Sequence, residues 1–385
     1  MFTDDLSLRS VMINFSFRSL RRIFFAITFV LVSCFTLSAK TDPCDSVTLV
    51  KLGGLPGTYS PDSSLYLINK QDKKGVYQIY IGKRGDSALQ CISLDGPAGK
   101  HRAFKKRNKM QVQWHASGKF IICAVEWDNY PELHYTPYKT RLGILQCGVW
   151  MDIYAVTPDG KTWTRLVKTV RGFTGPAFTR DGKKCAWAEG QDSADLRKDK
   201  FGKWKLKFAD FSVNSGIPTI SNIKDITPAN CNWIEPGNFS PDGISLLVSA
   251  DVNMSDARGQ DQFIINVNTG AVKDLNNTPN VWDEHGLFSA DGSKIVWMSS
   301  YPYRSDPNSD HILGIKTEFM IMNADGSDQQ QLTHFCEKGY PEYGSGIAAV
   351  GFWMPDGRSI LCTTLLFPYY RCFIIKFNGN CGSGG

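Results

Sequence analysis

The densest polar cluster in the sequence is the run Asp283, Glu284 and His285. Carboxylate and imidazole groups together suit several divalent metal ions, so this run is a candidate metal or ligand site. The alternative is a polar surface that serves solvation alone. The chain contains only six histidines, scattered singly, which argues against a site built from several imidazoles. We therefore expect no bound cofactor, with a divalent metal as the alternative.

Motifs of common enzymes are absent from the chain. The sequence has no G-x-S-x-G elbow, no H-E-x-x-H pair, no P-loop and no dinucleotide-binding glycine fingerprint. These absences disfavour the hydrolases and nucleotide-dependent enzymes that carry such motifs. The sequence favours a binding role over catalysis.

Aromatic side chains collect in two long stretches between strand-like segments, 126–151 and 300–317. Aromatic-rich loops suit the recognition of a protein partner or a sugar polymer, because their rings bury a large area. The alternative is that the loops only pack over the strands beneath them. The candidate contact residues are Trp127, Tyr135, Tyr138, Tyr301, Tyr303 and Arg304.

A short box recurs six times and determines the fold. In each copy an aromatic residue stands three positions before an Asp or its substitute, which is usually followed by Gly. The aromatic residue ends one strand, the next residues make a tight turn, and an apolar run begins the next strand. Glu235 and Glu284 each stand four residues before a box aromatic, so we expect them at equivalent positions in neighbouring repeats. The six boxes begin at Tyr59, Trp114, Phe178, Phe239, Phe288 and Trp353.

Further strand signals follow each box and give four strands per repeat. The clearest are DIYAVTPDG at 152–160 and FMIMNADGSDQQQLT at 319–333. This sequence pattern resembles the TolB-like, WD-like propeller repeat over about residues 45–378. The resemblance implies an all-β, six-bladed β-propeller of four-stranded antiparallel blades, in which radial stacking hides most sheet edges. It also implies a protein-binding role in the periplasm, with a carbohydrate-active propeller as the alternative, either similar to oligogalacturonate lyases or a sugar-binding lectin.

The ends of the repeat pattern predict how the ring closes. After the sixth box the chain has a third strand at 372–377 but no fourth, while 47–52 precedes the first box and reads as a strand. We therefore expect the N-terminal strand to complete the last blade. Residues 379–385 read as a flexible tail, and we expect Cys44 to lie near Cys381.

Residues 1–40 read as a targeting segment, because arginines precede an apolar stretch at 23–32 that is followed by small residues. The run ending at Cys34 resembles a bacterial lipobox, which makes Cys34 a candidate for lipidation. The alternative is ordinary signal cleavage near Ser38 or Ala39. Both predict an exported monomer in the periplasm or at the cell surface, with a lipid anchor in the first case.

Charge and cysteine content agree with export. Without residues 1–40 the net charge falls from +6 to +3, with 38 basic and 35 acidic side chains, so the charge does not indicate nucleic acid as a partner. The segment 100–109 holds six Lys or Arg, which predicts a solvated basic loop or a contact with an acidic protein, lipid or glycan. Cys362 and Cys372 lie symmetrically about Phe367, as candidates for a bond across a hairpin, with buried free thiols as the alternative.

Overall fold

The computed structural model describes residues 43–377, with gaps at 131–133, 135–136, 138–141, 143–144, 192–201, 255–258, 279, 307–314 and 367–368. The described strands form six four-stranded antiparallel sheets, and in five of them the strands follow the order of the chain from the inside outward. The predicted all-β, six-bladed β-propeller is confirmed. The part of the chain that the structure describes has no helix long and apolar enough to cross a membrane.

Each blade takes four strands, and the sixth takes its outermost strand from the N-terminal end. Blades 1 to 3 consist of β2 (Leu55–Tyr59), β3 (Leu65–Gln71), β4 (Tyr77–Lys83) and β5 (Leu89–Cys91); β6 (Lys109–Trp114), β7 (Ile121–Glu126), β8 (Met151–Val156) and β9 (Trp163–Val167); and β10 (Phe173–Phe178), β11 (Lys184–Gly190), β12 (Trp204–Asn214) and β13 (Ile217–Asp225). Blades 4 to 6 consist of β14 (Ile234–Phe239), β15 (Ser245–Ala250), β16 (Asp261–Asn266) and β17 (Val272–Asp274); β18 (Asp283–Phe288), β19 (Lys294–Ser299), β20 (Glu318–Asn323) and β21 (Gln330–Gln331); and β22 (Ile347–Trp353), β23 (Ser359–Leu366), β24 (Tyr369–Phe377) and β1 (Cys44–Val50).

Each box is the tight turn between the first and second strands of a blade, held by its Asp or, in the second box, by Ser117. In blade 3 the Thr179 hydroxyl donates to Asp181 at 2.6 Å, and Asp181 accepts the backbone N–H of Lys183 at 3.0 Å. Gly182 completes the turn at φ 69°, a conformation that glycine adopts without strain. These hydrogen bonds, the one from Thr179 first, lower the pKa of Asp181. The box residues therefore form turns and supply no site chemistry.

The ring closes through β1, as the sequence predicts. Strand β1 pairs antiparallel with β24, with Val47 opposite Ile375 and Val50 opposite Cys372. The strand begins at Cys44 and ends at Val50, slightly earlier than the 47–52 that the sequence pattern indicates. Because β1 covers the outer edge of β24, the first and last parts of the repeat region belong to one sheet.

The hairpin expected to place Cys362 opposite Cys372 has a different register. Cys362 lies opposite Phe373, and Thr363 lies opposite Cys372. The offset is one residue, and adjacent strand residues point to opposite faces of a sheet, so the two cysteines do not face each other. Both are buried free thiols. Cys381, the expected neighbour of Cys44, lies outside the described residues.

Candidate functional site at the channel mouth

Two neighbouring blades place carboxylates at the same level of the central axis. Glu235 is the second residue of β14 and Glu284 the second residue of β18, the innermost strands of blades 4 and 5. Glu235 pairs with Ser249 and Glu284 with Met298, so the two positions are equivalent. The innermost strands begin on the face that carries the connections between strands 2 and 3 and between successive blades. We call this the long-loop face, and both residues lie at its central opening, the channel mouth.

His285 joins these carboxylates because of an irregularity in β18 that the innermost strands of all six blades share. Successive residues of a regular strand point to opposite faces, which would separate the side chains of Glu284 and His285. The register of β18 shifts between Glu284 and Leu287, and His285 adopts a φ of 58°, which few non-glycine residues do. Such a bulge changes the direction of a side chain. As a result, one ligand atom from each of Glu235, Glu284 and His285 lies within 4.8 Å of the other two.

Buried hydrogen bonds hold the bulge in place. The backbone N–H of His285 donates to the Ser249 hydroxyl at 3.1 Å, and the Gln262 side chain donates to the same hydroxyl at 3.0 Å and to the Asp283 carbonyl at 2.9 Å. Gly286 leaves room for this arrangement, since a Cβ there would lie 2.0 Å from the Gln262 side-chain oxygen. Ser249, Gln262 and Gly286 therefore position His285 from behind.

The three groups influence one another's protonation. Burial raises the pKa of Glu235 to about 7; the neighbouring His285 acts in the opposite direction, and the Glu284 carboxylate adds to the rise. Burial alone would lower the pKa of His285, but the carboxylates of Glu284 and Glu235 outweigh it and the net direction is upward. About a quarter of the His285 and Glu235 side chains remains solvent-accessible, 26% and 23%. The cluster is thus a recessed site with access to solvent.

A segment from blade 2 reaches toward this opening, and we call residues 145–150 the roof segment. The Phe173 backbone N–H donates to the Gly148 carbonyl at 3.0 Å, and the Tyr370 hydroxyl of blade 6 donates to Gln146 at 3.2 Å. Burial, with the carboxylates of Glu235 and Glu284, raises the pKa of Cys147 to about 11. Cys147 is nevertheless solvent-accessible by area, so its thiol lies in a concave space near both carboxylates.

Asp283, predicted as part of the same cluster, points into the blade. Its carboxylate accepts hydrogen bonds from the Trp297 indole N–H at 2.7 Å and from the Thr278 hydroxyl at 2.7 Å, and only 1% of the residue is exposed. Burial raises the pKa of Asp283 to about 6. The structure therefore brings together Glu235, Glu284 and His285, while Asp283 supports the start of β18.

The aromatic residues predicted in the long loops divide into two groups. The Trp127 indole N–H donates to Asp152 at 2.8 Å, and the Tyr303 hydroxyl donates to the buried Glu318 at 2.6 Å, so both side chains are anchored inward. Tyr301 is exposed, and the Arg304 guanidinium lies 4.0 Å from its ring centre. Tyr135 and Tyr138 lie outside the described residues.

The sequence reasoning missed four exposed tyrosines on the same face. Among the described residues, every exposed Phe, Trp or Tyr side chain is a tyrosine of blade 5, blade 6 or the connection between them. The Arg371 guanidinium donates to the Gly344 carbonyl at 3.3 Å and joins the two loops that carry most of these residues. Their signal in the sequence was the aromatic content of 340–343 and 369–370. We call this set the tyrosine patch, and it comprises Tyr301, Tyr340, Tyr343, Tyr369 and Tyr370.

The basic segment 100–109 does not form a fully solvated loop. Arg102 pairs with the buried Glu126 at 2.9 Å, and Arg107 and Lys109 are buried. The Lys109 ammonium donates to the Phe104 carbonyl at 2.6 Å and to Gln78 at 3.1 Å. Half of its six cations therefore stabilise blades 1 and 2. The three that stay exposed are Lys100, Lys105 and Lys106.

Comparisons with known proteins give similarity in fold at low sequence identity. No protein-family model and no curated protein sequence matches the chain. Among solved structures, TolB from Acinetobacter baumannii is 14% identical at a TM-score of 0.49, with 94% of this chain and 71% of that chain covered. A putative TolB from Agrobacterium tumefaciens is 14% identical at a TM-score of 0.47, and the match covers 75% of this chain and 80% of that chain. An oligogalacturonate lyase in complex with manganese is 12% identical at a TM-score of 0.49, and the match covers 88% of this chain and 92% of that chain.

Proposed function

We propose that this chain is an exported propeller of the bacterial cell envelope that binds a protein partner through its long-loop face. The observation that carries the proposal is the position of the tyrosine patch. Five tyrosines, each 36% to 71% exposed, lie on this face. The hairpin turns on the opposite face carry no aromatic side chain exposed to that degree within the described ranges.

The chemistry of the patch favours a protein partner. Tyrosine and arginine are the residue types that contribute most often to the binding energy of protein interfaces, because each combines a large flat surface with polar groups. Arg304 lies over the Tyr301 ring, and Arg371 lies beside the loop that carries Tyr343. A partner that covers these rings would bury apolar area while leaving their hydroxyl groups available for hydrogen bonds.

Affinity capture from envelope extracts, with variants on the two faces, tests this proposal. We expect the full-length protein to retain a specific envelope protein, and the double variant Tyr343→Ser/Tyr369→Ser to lose it. The matched control is Ile244→Ser, which removes a comparably exposed apolar side chain from a hairpin turn of blade 4. Equal capture by all three proteins, or loss in the Ile244 variant alone, would refute a role for the long-loop face.

Export is the second part of the proposal, supported by the sequence pattern of residues 1–40. We expect the purified mature protein to begin at Cys34 with a lipid anchor or near Lys40 without one. Amino-terminal sequencing distinguishes these forms, and Cys34→Ala should release the lipidated form from the membrane fraction. A mature protein that retains Met1 or Met12 in the cytoplasmic fraction would contradict export.

A carbohydrate-active propeller is the second candidate function, favoured by the paired carboxylates Glu235 and Glu284 at the channel mouth. Carboxylates in a recessed site can position a sugar or transfer a proton. Incubation with uronic-acid oligosaccharides and a divalent metal would detect cleavage by the absorbance of unsaturated products. Product formation that Glu235→Gln abolishes would favour this candidate over the binding role.

A further inference from the structure

The atoms that converge at the channel mouth have the spacing of metal ligands. The Nε2 atom of His285 lies 3.6 Å from an oxygen of Glu235, and a Glu284 oxygen completes a group within 4.8 Å. Two ligands on a tetrahedral Zn²⁺, each bonded at about 2.1 Å, are about 3.4 Å apart. The gap of 3.6 Å is longer than a hydrogen bond and close to this ligand-to-ligand distance.

The hydrogen bonding of His285 leaves the appropriate nitrogen available. Its Nδ1 atom lies 2.8 Å from the Ala349 carbonyl oxygen, which can only accept, so Nδ1 carries a proton and donates. In the neutral ring the lone pair then resides on Nε2, the atom that faces Glu235. Metal-binding histidines typically donate their second ring N–H to a carbonyl or carboxylate in this way, which fixes both tautomer and ring orientation.

The two carboxylates lack the partners that recessed carboxylates usually have. Among the described residues, no hydrogen bond reaches either side chain, and no Lys or Arg forms an ion pair with Glu235 or Glu284. His285 is the one basic group beside them within those ranges. Two crowded carboxylates repel each other, and a bound cation relieves that repulsion.

An independent observation comes from the neighbouring blade. Thr174 is the second residue of β10 and pairs with Ala188, so it occupies in blade 3 the position of Glu235 in blade 4 and Glu284 in blade 5. It is 8% exposed, and its hydroxyl has no hydrogen-bond partner among the described residues. Buried hydroxyl groups are nearly always paired, so this hydroxyl is available to a water molecule or a ligand at this level of the channel.

We propose that Glu235, Glu284 and His285 bind one divalent transition-metal ion of the Zn²⁺ type at the channel mouth. One imidazole nitrogen with two carboxylate oxygens suits first-row ions better than Ca²⁺, which takes six to eight oxygen ligands. Three protein ligands leave at least one coordination position for water or an incoming ligand. The Cys147 thiol of the roof segment lies near the carboxylates of Glu235 and Glu284. The site rests on channel residues and does not depend on the tyrosine patch or on the identity of a protein partner.

Zinc binding by the full-length protein, purified without a metal-binding tag, tests the proposal. After chelation and dialysis, titration calorimetry with Zn²⁺ should give one site per chain. Glu235→Gln and His285→Ala should each weaken binding by at least about 100-fold, since even supporting residues of metal sites contribute 10- to 100-fold. Circular dichroism spectra identical to that of the unaltered protein would show that the variants keep their fold.

Two matched controls identify the ligands. Glu337→Gln alters the second His–carboxylate pair of the long-loop face, in which His334 and Glu337 lie 2.7 Å apart, and should leave zinc binding unchanged. Cys147→Ser should also retain one equivalent, because the Cys147 sulfur lies outside the group of three ligand atoms. Absence of zinc binding, or equal affinity in the unaltered protein and both ligand variants, would overturn the proposal. Loss of binding in Cys147→Ser would overturn the three-ligand assignment.

Discussion

Two recessed carboxylate sites on the long-loop face differ in how their charge is stabilised. Glu318, at the start of β20, accepts hydrogen bonds from the Tyr303 hydroxyl at 2.6 Å, the Thr333 hydroxyl at 2.7 Å and the backbone N–H groups of Phe335 and Cys336 at 2.8 Å. Within the described residues, Glu235 at the channel mouth accepts none, and its one ion-pair partner is the imidazole of His285.

The difference separates a carboxylate that builds the fold from one that remains available to a ligand. Glu318 fastens the loop of Tyr303 and the connection between blades 5 and 6 to the sheet, and its oxygens have no capacity left for another partner. Glu235 accepts no hydrogen bond that would connect two parts of the fold among the described residues. A side chain that is recessed, charged and unsupported by donors is a stronger indication of a binding site than burial or charge alone.

The largest expected effect is on the fold itself, through the strand that closes the ring. A chain that begins at Leu52 lacks β1 and exposes the edge of β24, including the buried Cys372 and Phe373. We expect the melting temperature to fall by more than about 10 °C, or the protein to aggregate. A chain that begins at Lys40 is the control and should melt as the full-length protein does. Equal melting temperatures would show that β1 does not hold the ring closed.

The next largest effect is the difference in the free energy of unfolding between variants of Glu318 and Glu235. Glu318→Ala leaves two hydroxyl groups and two backbone N–H groups without their acceptor, and should lower the free energy of unfolding by roughly 4 kcal/mol. Glu235→Ala in metal-free protein should change it by less than about 1 kcal/mol, because no hydrogen bond is lost. Urea denaturation measures both. Equal losses would show that Glu235 also has a structural role.

A smaller, pH-dependent effect should come from Lys109, which is fully buried at the start of β6. Burial, followed by the charge of Arg107, lowers the pKa of Lys109 from 10.5 to about 7. Between these values the unfolded chain binds more protons than the folded chain, so the free energy of unfolding should rise with pH. Urea denaturation at about pH 7.5 and about pH 9.5 should show this rise in the unaltered protein and a smaller one in Lys109→Met. An identical rise in both proteins would show that the ionisation of Lys109 does not cause the pH dependence.

The smallest expected effect on the stability of the protein comes from replacing a residue of the tyrosine patch. Tyr343→Ser removes a ring that is 48% exposed, so the free energy of unfolding should change by less than about 0.5 kcal/mol. Tyr303→Phe is the matched comparison, because it removes only the hydroxyl that donates to Glu318, and should cost about 1 to 2 kcal/mol. If Tyr343→Ser destabilises the protein as much as Tyr303→Phe, the patch is part of the fold.

The blade architecture could be predicted because its determinants are local. Each turn is made by a few adjacent residues, as at Asp181 and Gly182, and each strand that follows is a short apolar run. Counting strands from the sixth box also predicted that the N-terminal strand would close the ring. None of these inferences required knowledge of contacts between distant residues.

The site could be predicted only in part, because its geometry depends on distant contacts. The repeat register gave Glu235 and Glu284 equivalent positions. The left-handed conformation of His285 depends on Ser249 and Gln262 of the neighbouring strands, and a histidine in a sequence gives no sign of it. The approach of Cys147 depends on a loop of blade 2 that reaches Phe173 and Tyr370. Lys109, which looked like part of a solvated loop, is buried because β6 begins with it.

Anomalous diffraction at the zinc absorption edge, from crystals of the full-length protein grown with Zn²⁺, tests most directly whether the unsupported carboxylates form a ligand site. The structure predicts one peak at the channel mouth, about 2.0 to 2.2 Å from an oxygen of Glu235, an oxygen of Glu284 and the Nε2 atom of His285. Crystals with no peak at this position, or with zinc only at surface residues such as His334 and Glu337, would contradict it.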